Sequence, residues 1–481
     1  MRLLLVFLLI SNIAISQSIS QKTAYQYYIN GEFEKAIVLY EELLDSHFSV
    51  AYYIPYYTSL IKLEYYKKAE YFAKKLVKKY PKDLQYQLAV IIAQSKSGKT
   101  KKSDNSYERL FKSFDGGRSQ TINLANTLNR YEMYQKALDI YILSEKINPN
   151  NSFGMQKAQL FAKIEDVESM LKEYLNVIQI NPTKRQIVTS HIQRFLDNDG
   201  IRSDKNYKLV KRLLLLKVRS EQDRTDFSEM LIWLFMQNHQ FKMALIQAKA
   251  LDKRTNSSGE GVYDLAETFL DKEYLELAEE AYDYVISKGD KNQFFISANI
   301  NRLYVLTKMI SAKNQVLSVL DNEYKKVIAK LGKNRNTVLL LSNYAHFKAF
   351  YLHDLISAEK LLQDAMMISG IDNYDLAECK MEYADVLLLQ GNIWDSMLYY
   401  SQVEKDFKEH PIGHEAKLRI AKISYYQGDF QWAQAQLGAL KASTSKLIAN
   451  DAMELSLLIT DNYNLDTAEI AMHLFSYADL L

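Results

Sequence analysis

The chain has 481 residues, 48% hydrophobic and 25% charged, with 60 basic against 58 acidic side chains and a formal net charge of +2. That balance leaves no global field to hold nucleic acid, and 15 glycines with 5 prolines are too few for the turn every 8–12 residues or so that an all-β sandwich or barrel needs. A single cysteine, Cys379, excludes an internal disulfide, so helices held by packing alone are expected.

In chain order, Met1-Arg2 is followed by an unbroken apolar run from Leu3 to Ile10 and by small residues at Ala14 and Ser16. One positive charge, a short apolar core and a small-residue cleavage site predict a signal peptide over 1–16. The expected product is exported, periplasmic or outer-membrane associated. The run is shorter than the roughly 20 residues of a membrane span, and no later run is longer. No integral span is therefore expected, while peripheral membrane association stays open.

Beyond residue 16 a motif recurs: G-E-F-E-K-A-I-V-L-Y at 31–40, E-M-Y-Q-K-A-L-D-I-Y at 132–141 and E-Y-L-E-L-A-E-E-A-Y at 273–282. Aligned on its alanine, it gives anchors at Ala36, Ala69, Ser103, Ala137 and Met170, spaced 33 or 34 apart. Ala244 and Ala278 follow, 34 apart, then Ala358, Ser396 and Ala433, with steps of 38 and 37. Four residues past the anchor stand Tyr40, Tyr107, Tyr141, Tyr174, Tyr282 and Tyr400. Twelve before it stand Ala24, Ala125, Ala158, Ala266, Ala384 and Ala421, and twelve after it Pro81, Pro149 and Pro182. Small residues at the middles of two antiparallel helices let them approach closely. The tyrosine fills the space one turn on, and the proline ends the second helix.

This pattern resembles the tetratricopeptide repeat (TPR), a 34-residue helix–turn–helix unit. The resemblance implies an all-α fold, an α-solenoid of stacked TPR units in a right-handed superhelix, in which each unit touches mainly its neighbours. The expected organisation is an N-terminal array at 17–185 and an irregular helical segment at 186–225, with a D-N-D-G turn at 197–200 and a basic helix at 204–224. A central TPR-like array at 226–335, a C-terminal array at 336–441 and incomplete terminal helices at 442–481 follow. Ser476-Tyr477-Ala478-Asp479-Leu480 echoes Glu382-Tyr383-Ala384-Asp385-Val386, the first helix of a unit. The echo predicts an uncapped end open to a partner or to self-association.

Chemistry-bearing motifs are sparse. Ala93-x-x-x-x-Gly98-Lys99-Thr100 fits a permissive phosphate-loop pattern, but no strand precedes it, so Gly98 reads as a turn between helices. His410 and His414 are separated by Pro411 and Gly413, which break the helix that would align them, and His346 and His353, seven apart, have no acidic third metal ligand in phase. The D-N-D-G turn lacks the other ligands of a calcium loop. No catalytic residue, metal or cofactor is expected.

The resemblance instead implies a concave groove lined by the first helix of each unit. Register places Tyr25, Tyr28, Lys62, Lys96, Asn126, Asn129, Arg130, Lys163, Trp233, Phe347, Tyr351 and Tyr425 along it. The lysine slot of the family's carboxylate clamp carries Gln21, Ile54 and Leu88 instead, which speaks against that mode. Tyrosines and amides suit extended or helical polypeptide. The function expected is a non-enzymatic scaffold for protein partners of the bacterial cell envelope. The alternative is an accessory that holds anionic glycan or lipid through Lys205, Lys208, Lys211, Arg212, Lys217 and Arg219; an enzyme ranks third.

Overall fold

A computed structural model describes residues 20–46, 48–197, 204–310, 317–441, 445–463 and 469–480. The signal-peptide expectation at 1–16 and all but Asp197 of the D-N-D-G stretch lie outside the described residues. Among those residues every regular element is a helix. The chain divides into two compact units, Met1–Glu221 and Gln222–Leu481.

The first unit is a run of helix pairs. The helix at 20–29 pairs with Phe33–Ser46, Val50–Lys62 with Tyr66–Lys79, and Leu84–Lys96 with Thr100–Ser113. Arg118–Arg130 pairs with Tyr134–Ile147, and Gly154–Lys163 with Val167–Ile180; Arg185–Asp197 and Asp204–Ser220 close the unit. The second unit opens with Asp226–Gln237 and Phe241–Thr255, then Glu260–Asp271 and Leu275–Ile286, then the longer Phe295–Met309 and Leu317–Leu331. Val338–Phe350 with Leu355–Met366, Asn373–Leu389 with Ile393–Asp406, and Pro411–Tyr426 with Phe430–Leu440 follow. The fold is an α-solenoid of stacked TPR-type pairs.

The sequence register explains the packing. Nine of the ten anchors are 1% exposed or less, Met170 reaching 5%. The six tyrosines four residues on and the six alanines twelve before are also buried. Where the anchor is Ser103, its hydroxyl donates to the Ile91 carbonyl at 3.1 Å, twelve residues back on the facing helix. Only a small side chain permits that approach.

The turn between the helices of a pair is equally regular. Gly31, Glu64, Gly98, Glu132, Glu165, His239, Glu273, His353, Gly391 and Gly428 all have positive φ. Each lies five residues before its anchor. One left-handed residue reverses the chain, as at many helix C-termini. Gly98 is thus a member of this series, between helices Leu84–Lys96 and Thr100–Ser113.

The terminal helices depart from the expected order. Lys446–Tyr463 continues the stack against Phe430–Leu440, but Glu469–Leu480 packs back on Pro411–Tyr426. Its resemblance to 382–386 does not carry over to packing. Ala384 is fully buried, whereas Ala478 is exposed and Met472 and Ser476 face inward.

Candidate polypeptide-binding groove

The first helices of four consecutive pairs, Val50–Lys62, Leu84–Lys96, Arg118–Arg130 and Gly154–Lys163, lie side by side in the first unit. Three of them enclose a recess of about 380 Å³ lined by Tyr53, Ile54, Tyr57, Gln85, Tyr86, Asn126, Thr127, Arg130 and Tyr131. A second recess of about 300 Å³, lined by Asn126, Asn129, Gln156, Gln159 and Lys163, continues it. Asn126 lines both.

The floor is aromatic and rigid. Tyr53 meets Tyr86 edge-on at 5.1 Å, and Tyr57 meets Tyr131 edge-on at 5.9 Å. The Tyr57 hydroxyl donates to the Ala89 carbonyl at 2.5 Å, and the Thr58 and Tyr131 hydroxyls share a bond of 3.0 Å. Burial pushes the Tyr131 phenol up to about 12 and those of Tyr53 and Tyr57 higher, so the floor is neutral at any physiological pH. The rim supplies amides: Thr127 Oγ1 donates to Gln85 Oε1 at 3.0 Å, while Asn126 and Asn129 are exposed. Charge is confined to the rim, with Asp83 and Arg130 on the larger recess and Lys163 on the smaller.

Of the residues expected along the groove, Asn126, Asn129, Arg130 and Lys163 come together here. Tyr25 and Tyr28 form a ring pair at 6.1 Å on the helix at 20–29 and line neither recess. Lys62 and Lys96 are exposed at the ends of their helices, outside both recesses. Trp233, Phe347, Tyr351 and Tyr425 belong to the second unit. There Phe347 and Tyr425 are fully buried, which corrects their assignment to an accessible lining. Phe347 stacks on Tyr324 at 5.6 Å because helix Leu317–Leu331 covers that face, and Tyr425 sits in an apolar cluster with Met472. Trp233 and Tyr351 are half-buried.

Sequence register missed the aromatic floor. Tyr57 stands twelve residues before Ala69, where six other pairs have alanine. A ring in place of a methyl cannot be absorbed within the pair. It reaches instead to the next first helix and bonds to Ala89. A tyrosine in a small-residue slot was the available signal.

The second unit carries a charged cluster on neighbouring first helices. His346 Nδ1 lies 2.8 Å from Glu382 Oε1, and Asp385 is paired with Arg419 and accepts from the Tyr400 hydroxyl. Burial lowers His346, but the Glu382 carboxylate outweighs it and the net shift is upward. Burial likewise raises Asp385 despite Arg419. Asp385 and Tyr400 stand in the register relation of Glu267 and Tyr282, also a bonded pair, so these contacts brace helix pairs.

Among the described residues no three His, Cys, Asp or Glu side chains converge as metal ligands, and no helix is long and apolar enough to cross a membrane. Cys379 is buried, and burial pushes its thiol up to about 12. On helix Asp204–Ser220, Arg212 pairs with Glu168 at 2.8 Å, Lys208 with Asp204 at 2.5 Å, and Lys217 donates to Gln179 at 2.6 Å. Lys211 lies over the Tyr207 ring at 5.9 Å, so the cations of this helix are engaged within the unit at several points.

No family model and no curated protein matches this sequence. Solved structures similar to it include yeast Tom70, at 12% identity and a TM-score of 0.38 over 95% of this chain and 98% of that one. The APC/C hetero-tetramer Cut9–Hcn1 gives 10% identity and 0.33 over 96% of each chain. Naa15/Naa10 bound to HypK-THB gives 11% and 0.28 over 97% of this chain and 79% of that one. At such identities no residue's role carries over.

Proposed function

We propose that the chain is a non-enzymatic scaffold that holds an extended or helical segment of a partner protein along the groove of its first unit. The observation that carries this reading is the continuity of a tyrosine floor with an amide rim across four successive first helices. Tyrosine rings give large contact area at little entropic cost, and asparagine and glutamine adapt their hydrogen bonds to a main chain. Arg130 and Lys163 favour an acidic residue in the bound segment. The signal-like sequence at 1–16 supports a cell-envelope address, so the partner is sought among exported proteins. Pairing of Arg212, Lys208 and Lys217 within the unit weighs against the basic helix as a lipid or glycan site. The exposed Ile470 and Leu474 are where self-association of this scaffold would be sought.

Site-specific photo-crosslinking tests the reading. A crosslinker at Asn126 captures one protein reproducibly from cells, and a crosslinker at Lys172, exposed on a second helix, does not. Arg130→Glu weakens that capture at least tenfold. Equal capture from both positions overturns the groove assignment.

A further inference from the structure

The pair Pro411–Tyr426 and Phe430–Leu440 repeats the register of the groove pairs. Lys422, Tyr425 and Tyr426 stand 11, 8 and 7 residues before Ala433, as Asn126, Asn129 and Arg130 stand before Ala137. In the first unit those slots are exposed and line the recesses. Here Tyr425 is fully buried and Tyr426 half-buried, and what covers them is the chain's own helix Glu469–Leu480. Met472 joins the cluster of Leu418, Tyr425 and Phe430. The His473 ring lies 5.1 Å from Phe430 and rests on Gly428, where any Cβ would collide with it. The Asp479 carboxylate acts on both phenols.

The fit is incomplete. The Tyr425 hydroxyl is buried without a hydrogen-bond partner among the described residues. Covering a polar group without satisfying it costs free energy that a better ligand recovers. The helix also leaves large apolar side chains in water here, with Ile470 75% and Leu474 65% exposed, a surface that a partner would cover.

We propose that this face of helix Pro411–Tyr426 is a second polypeptide-binding site and that residues 469–480 are its internal ligand. An incoming partner helix with an apolar anchor at the Met472 position and an acceptor opposite the Tyr425 hydroxyl displaces it. The site lies in the second unit and stands independently of the groove in the first.

The full chain carrying Met472→Asp and Ser476→Arg loses both inward anchors of the helix but keeps the site. A fluorescein-labelled peptide of residues 469–480 binds this variant at least tenfold more tightly than the unaltered chain, by fluorescence anisotropy. The same peptide bearing the Met472→Asp change does not bind. Met472→Ala, a milder release, is measured alongside, with far-UV circular dichroism checking that both chains remain folded, and shows the same preference to a smaller degree. Absence of saturable binding to both released chains, or equal binding to released and unaltered chains, overturns the proposal and leaves the helix as a fixed cap.

Discussion

Glu64 and Gly98 hold the same left-handed backbone conformation, φ 61° and 79°, at the same place in two consecutive helix pairs. The glycine occupies that region freely, whereas a Cβ there costs roughly 1–2 kcal/mol. Six of the ten turns carry Glu or His at this position, so the cost recurs along the chain.

Replacing Glu64, Glu132 or Glu165 by glycine is therefore expected to stabilise the first unit. The gain is about 0.5–1 kcal/mol each, once the greater freedom of glycine in the unfolded chain is subtracted. The midpoint of urea unfolding checks it. Gly98→Val is expected to move the midpoint the other way by a similar amount.

Tyr57 is 2% exposed and bridges two pairs. Tyr57→Ala empties a ring-sized volume and is expected to cost about 3–5 kcal/mol. Tyr57→Phe removes only the bond to Ala89 and costs about 1 kcal/mol. Denaturant titration of both variants separates floor packing from hydrogen bonding.

Two groups give stability opposite dependences on pH. Glu70 is penalised by burial, but Lys74, Lys99 and Gln94 hold its carboxyl down to about 2. Its contribution is complete above the ordinary glutamate range and lost as pH falls toward 2, and Glu70→Gln should flatten the acid limb by about 2 kcal/mol. His346 is raised by Glu382. Its contribution is complete below the ordinary histidine range and lost as pH rises through the raised value. His346→Gln should flatten that limb alone. Thermal unfolding from pH 2 to 9 checks both signs.

Cys379, the sole thiol, is fully buried, and burial pushes it up to about 12. Thiol reagents should not modify the native chain at pH 8 and should react as soon as the second unit opens. The labelling rate in rising urea then reports opening of that unit, and rapid labelling without denaturant would contradict the burial.

Much of the fold was legible because the repeat needs small residues at fixed places, and each of those alanines is buried where register put it. The two recesses were legible only in part. Asn126, Asn129, Arg130 and Lys163 line them at slots that register gives, since polar residues on a first helix have few other places to go. Tyr53, Tyr57 and Tyr86 were not found, because a tyrosine serves as readily in a core as on a floor. Phe347 and Tyr425 failed for a related reason. Whether a slot stays open depends on which other helix lies over it, Leu317–Leu331 from earlier in the chain for Phe347 and Glu469–Leu480 from later for Tyr425, through contacts that no local pattern encodes.

The constant interval between the left-handed turn and the anchor acts as a fixed ruler inside each of the ten anchored hairpins, whereas the hairpin-to-hairpin step stretches from 33 to 38 residues. Such a chain tolerates inserted length at its seams and resists it within its modules. Foreign loops or epitope tags therefore belong near Pro81-Lys82, exposed between two hairpins, and the same insertion beside Glu132 would throw two helices out of phase.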